Sequence, residues 1–202
     1  MPISFPIECP TALAPNAVRW SYQTANLISN NPNTLQQTIY EYDGEGWQID
    51  VSYPPLTRAE AAPFHAFLAS LRGTAHTFLF GDTLMKTPLG AGSGTPLING
   101  AGQYGSESVV TDGWAVNTLV LKAGDFFSVD NRLYMVLLDV TSDATGNATI
   151  DIFPKLRNHA DDASIETDTP KGIFRLDNEN VVLIQAPQNQ LYTIKFTAVE
   201  AL

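Results

Sequence analysis

Only one stretch of this 202-residue chain carries a helical period, and that restricts its fold more than any other feature. Across residues 57–73, Ala61, Phe64, Leu68 and Leu71 recur at three- and four-residue steps, which puts them on one helix face. Thr57 and Glu60 have the spacing of a capping box, and Gly73 stands where a helix would stop. Pro63 complicates the segment, because an interior proline removes a backbone donor and crowds the preceding turn. The expectation is a separate turn over residues 57–61 and a helix that begins near Pro63.

Most of the remaining chain reads as strand. Val18, Trp20 and Tyr22 alternate, residues 38–42 follow, and in residues 47–53 Trp47, Ile49 and Val51 share a face. Asn30, Asn31, Pro32 and Asn33 mark a first loop, and Asp43-Gly44 reads as a second hairpin connection. An antiparallel meander results, continued after the helix by a strand over residues 76–80. From residue 87 to 104 the composition turns to Gly, Ser, Pro and Asn, a boundary signal. Short strands are then expected at residues 108–110, 118–121, 126–129, 133–140 and 148–153, parted by turns such as Asp112-Gly113 and Asp130-Asn131. Such a run without a helix suggests a small barrel. An irregular acidic stretch over residues 160–171 ends this unit. Residues 172–176, 181–185 and 191–199 return to strand. The termini of a small barrel lie close together, so it inserts readily into a loop of a host domain.

Composition excludes several classes. At 44% hydrophobic and 16% charged the chain is too apolar to be disordered, and no apolar run approaches the roughly 18 residues of a membrane span. Residues 1–10 have neither a basic start nor a continuous apolar run, so no signal peptide is expected and the chain should stay in the cytoplasm where it is made. A single cysteine, Cys9, fits a reducing compartment. With 21 acidic against 11 basic residues and a net charge of -10, the clustered cations of a phosphate-binding surface are missing, and sequence-specific nucleic-acid binding is not expected.

The motifs that could carry chemistry fare poorly. Residues 100–105 spell G-x-G-x-x-G, but strand and turn follow where a dinucleotide site needs a helix. His65, His76 and His159 lack the spacing of metal ligands, and no G-x-S-x-G elbow occurs. Asp139, Asp143, Asn147 and Asp151 recur every four residues without an EF-hand pattern and read as a polar turn. No catalytic, cofactor or metal residue is therefore expected. Tyr104, Trp114 and Tyr134, with Phe126, could stack on a sugar ring from the barrel, although strand aromatics are more often core.

One resemblance runs through most of the chain. It rests on Val18-Arg-Trp20, Gln36-Gln-Thr38, Gly46-Trp47, Tyr53-Pro-Pro-Leu-Thr-Arg-Ala-Glu-Ala61, Ala66-Phe-Leu-Ala-Ser-Leu-Arg-Gly73, Ala123-Gly-Asp125, Tyr134-Met-Val136, Gly146-Asn-Ala-Thr149, Phe153-Pro154, Leu156-Arg157 and Val199-Glu-Ala-Leu202. In order and spacing these blocks resemble the distal tail proteins of long-tailed bacteriophages, as carried by transposable siphophages and related prophages. The resemblance implies a mainly β chain with one helix: a β-sandwich ring domain at residues 1–86 and 169–202, and an inserted OB-like β-barrel at residues 87–168. It implies a homo-oligomeric ring, a hexamer, that joins the tail tube protein to the tail-tip hub protein, acts in the virion without catalysis, and has no membrane partner. The alternative is a carbohydrate-binding module used in host recognition. Residues 1–15, Pro-rich and irregular, would be an arm onto a neighbour.

Overall fold

The computed structural model describes residues 3–82, 84–178 and 191–202. In chain order the elements are β1 (Ile7–Glu8), β2 (Ala17–Asn30), β3 (Gln37–Ser52), α1 (Arg58–Leu71), a 3-10 turn (Gly73–Ala75), β4 (Thr77–Phe80), β5 (Gly94–Ile98), β6 (Ser108–Trp114), β7 (Leu119–Leu121), β8 (Phe126–Val129), β9 (Arg132–Val136), β10 (Val140–Thr141), β11 (Ala148–Phe153), β12 (Ile165–Glu166), β13 (Gly172–Leu176) and β14 (Lys195–Glu200). The described residues are thus mainly β with one α-helix. The strand expected over residues 181–185 lies outside the described residues.

Two six-stranded sheets organise the molecule. The first has the order β1-β4-β13-β14-β3-β2 and is antiparallel apart from the β1–β4 pair. The second, β12-β8-β9-β11-β6-β5, is antiparallel throughout. It curls until its ends meet: the Ile98 N–H donates to the Ala163 carbonyl at 3.0 Å, and Leu97 bridges Ser164. Near closure removes the free edges that a sheet this short would otherwise expose. The first sheet draws on residues 7–80 and 172–200, the second on residues 94–166.

The first core lies on one face of the first sheet. Trp47, Ile49 and Val51 of β3 alternate inward with Phe78 and Phe80 of β4, Phe174 of β13, and Phe196 and Ala198 of β14. Helix α1 covers one part of that face with Ala61, Phe64, Phe67, Leu68 and Leu71. Phe67 meets Phe78 edge-on at 5.3 Å. The barrel covers another part: Phe126 of β8 packs on Trp20 and Trp47, each at 5.6 Å, and Leu133 of β9 joins the same cluster. Sheet against barrel therefore makes a sandwich with the helix beside it. A separate cluster that includes Val109, Phe127, Tyr134, Val136, Ile150 and Leu156 fills the barrel.

The structure changes four expectations. Helix α1 is continuous through Pro63, with no separate turn at residues 57–61. Pro63 and Ala59, whose carbonyl loses its intrahelical donor, are both exposed, so that carbonyl is open to solvent. Asp43-Gly44 is not a hairpin turn: β3 runs through it, and the pairing register shifts there, opposite Thr24 and Ala25. Of the N-terminal segment, residues 7–8 pair with the chain's own β4, Phe5 stacks on His76 at 3.9 Å, and Cys9 is core, so this segment packs on its own subunit. Finally, β5 and β12 fall where loops were expected, β5 inside the Gly/Pro-rich run and β12 inside the acidic stretch.

Candidate functional site

The aromatic residues expected to stack on a ligand do not share a surface. Tyr134 is fully buried, stacked on Phe127 at 5.4 Å, and its hydroxyl accepts the Arg157 N–H at 3.0 Å and bonds His159 Nε2 at 2.8 Å. Trp114 is buried with its indole N–H donated to Thr111 Oγ1 at 2.8 Å, and Phe126 belongs to the other core. The expected platform is thereby corrected: both polar handles are satisfied inside the barrel, leaving no ring face for a ligand. Only Tyr104 is exposed, on the loop of residues 99–106, which lines an open concavity of about 570 Å³. Gln103 shapes that loop by accepting the Val110 N–H at 2.7 Å and donating to the Asn99 and Gly100 carbonyls, both at 3.0 Å. The loop leads into β6, so the G-x-G-x-x-G run opens no helix.

The polar turn, His159, His65 and Cys9 have local partners. Asp143 accepts the Thr145 and Asn147 N–H groups at 2.7 and 2.9 Å, and these bonds hold its carboxyl down at about 2; it closes a polar turn. His159 Nδ1 lies 2.9 Å from Asp130 Oδ2, and His65 packs against Tyr192. Cys9 Sγ is 3.7 Å from the Tyr53 hydroxyl, and burial pushes the thiol up to about 11. Among the described residues no group of three or more His, Cys, Asp or Glu is placed to hold a metal ion.

What stands out instead is the far half of the β2–β3 pair. Residues 25–30 and 37–42 pair with each other and extend past the rest of the sheet as a two-stranded ribbon. Cross-strand partners share a face, so Leu27 and Tyr40 join Ala25 and Tyr42 on one side, while Ile28 and Ile39 sit on the other. Leu27, Ile28, Ile39, Tyr40 and Tyr42 are each more than half exposed, and Leu35 at the tip is more exposed still. Among the described residues β2 is the outermost strand of the sheet, so the ribbon also presents a backbone edge that no described strand pairs.

A signal for this ribbon was present in the sequence. From Trp20 to Tyr40, 21 consecutive residues include no Asp, Glu, Lys or Arg, in a chain that is 16% charged. Exposed edges in folded proteins are ordinarily protected by charge, proline or brevity. Beyond Arg19 this 14-residue edge strand carries no charge through Asn30, and the one proline nearby lies in the connecting loop. Comparison with protein families finds no matching model, and comparison with curated proteins finds no matching relative.

Proposed function

We propose that this chain is a structural subunit of a ring, the distal ring of a bacteriophage tail, and that the β2–β3 ribbon is its assembly arm. The observation that carries the assembly reading is the long, two-sided apolar ribbon, whose one charged residue is Glu41. A two-stranded ribbon with both faces in water is marginal by itself, whereas pairing with a neighbouring copy would cover its edge and apolar side chains together. When each copy offers an arm to the next, the contact is head-to-tail, and such contacts close into rings if the rotation allows. The assignment to a tail tip, between tube and hub proteins in the virion, rests on the sequence resemblance. So does the hexameric count.

Charge supports the same reading. Residues 87–168 contain 11 acidic against 4 basic residues, leaving the sheet-forming remainder with 10 against 7. The assembly half is thus close to neutral, and self-repulsion is concentrated on the barrel.

Electron micrographs and mass measurement of the purified protein test this function directly. Closed rings are expected for the wild type, and monomers for Ile39→Lys with an unchanged melting temperature, since Ile39 is exposed in the single chain. A wild type that stays monomeric at every concentration would overturn the reading. A second reading, glycan recognition by the barrel, keeps only Tyr104 in its support; binding lost in Tyr104→Ala on a glycan array would favour it.

A further inference from the structure

The ribbon leaves the sheet at the register shift between Thr24 and Ala25, opposite Asp43-Gly44. Two strands joined only to each other flex and twist at such a point, so their direction needs outside support. The end of β11 and the chain after it supply contacts there. Phe153 meets Tyr22 and Trp47 edge-on, at 5.2 Å each. The Lys155 N–H donates to Glu45 Oε2 at 2.8 Å, and the Arg157 guanidinium donates to the Glu45 carbonyl. Lys155 Nζ reaches Asp43, at the shift, at 3.2 Å and Glu41, on its ribbon side, at 3.3 Å.

We propose that residues 153–157 are a brace through which the inserted barrel fixes the angle of the β2–β3 ribbon, with Lys155 and Arg157 as its positioning residues. This rests on the ribbon being an assembly arm, because only then does its angle set the curvature of a ring. Exposed ion pairs alone would hold weakly; the strength lies in the covered contacts. The Glu45 residue is buried, and the Lys155 side chain keeps only 14% of its surface exposed. Arg157 gives the second indication. Its Nε and Glu200 Oε1 are buried without a hydrogen-bond partner among the described residues, although Arg157 and Glu200 attract each other. The guanidinium holds the Glu45 backbone while its Nε makes no hydrogen bond, so the bond it does make lies at the base of the ribbon.

Geometry inside the full chain tests the brace. Nitroxide labels at Thr34→Cys, in the ribbon tip, and Ala123→Cys, on the barrel, report the angle as a distance; both sites are exposed, and the high thiol pKa of buried Cys9 keeps it unlabelled. Labelled chain is diluted into unlabelled chain so that only distances within one subunit are read. The expected result is a single narrow distribution for the parent and a broad or multi-peaked one for Lys155→Ala with Arg157→Ala. An unchanged distribution, or a parent that is already broad, overturns the brace. If the double variant fails to fold, Arg157→Leu alone, which removes the covered contact of the guanidinium with the Glu45 carbonyl, must still broaden the distribution. Ring formation by the unlabelled parent is scored separately: no rings with a narrow parent distance sinks the assembly reading alone, whereas rings with an unchanged variant distance sinks the brace alone.

Discussion

The Trp47 indole N–H donates to the Leu133 carbonyl at 3.0 Å, tying the first sheet to the barrel through a buried bond. Trp47 also packs on Trp20, Phe126 and Phe153, so one side chain joins the sheet to two parts of the barrel. Trp47→Phe removes the bond but keeps most of the ring packing, and should cost about 1 to 2 kcal/mol. Trp47→Ala should cost about 3 to 5 kcal/mol, as large aromatic truncations in cores do. Urea unfolding of both variants checks this. A loss near zero for Trp47→Phe would mean that the indole bond contributes nothing.

Leu68 is 3% exposed, in the middle of the helix face that covers the sheet. Leu68→Ala is expected to destabilise by about 2 to 5 kcal/mol. Ala66→Ser, on the exposed side of α1, should fall within about 0.5 kcal/mol of wild type. A loss below about 1 kcal/mol for Leu68→Ala would show that the helix packs tightly only in an assembly.

Asp125 fastens the entry to the barrel. Its carboxylate accepts the N–H groups of Leu89 at 2.8 Å, Gly90 at 3.1 Å and Lys122 at 2.8 Å, and the residue is buried. Asp125→Ala leaves these donors without their acceptor and should cost about 1 to 3 kcal/mol, with faster amide exchange at residues 89 and 90. Asp125→Asn, which keeps one acceptor oxygen, should recover part of the loss.

The parts of this fold that were legible in the sequence are those set by local pattern. Helix α1 showed its period and its cap, and Glu60 Oε2 indeed receives the Thr57 N–H at 2.9 Å and hydroxyl at 2.8 Å. Strands β8, β11 and β13 fell at the expected residues, because each is bounded by turn chemistry. Misreadings arose where long-range pairing overrides local preference. Asp43-Gly44 has hairpin composition, yet β2 pairs on both sides of it and makes it a bulge. A methyl group at Gly44 would come within 2.9 Å of the Ala25 Cβ, so the glycine serves close strand approach there. Strand β5 was hidden by Gly94 and Pro96, since its pairing with β6 and with residues 162–164 depends on barrel closure. Alternation also cannot separate a buried aromatic from an exposed one, which is why Trp114 and Tyr134 read as candidates beside Tyr104.

Glu200 gives the molecule a pH dependence of defined sign. Burial raises its carboxyl above the ordinary glutamate value of 4.5, opposed by the nearby Arg157, by the Trp47 N–H that it accepts at 3.2 Å, and by Arg132. A raised acid binds its proton more tightly in the folded state than in the unfolded chain. Its contribution to stability is therefore present below the ordinary value and is lost as pH rises through the raised one. The window opens just above pH 4.5 and runs upward from there. Glu200→Gln keeps an oxygen for the Trp47 N–H and removes the titration, so across that window the variant should lose less stability with rising pH than the wild type. Denaturant unfolding at several pH values reads the difference, and parallel curves for the two proteins would show that Glu200 titrates alike in the folded and unfolded chain.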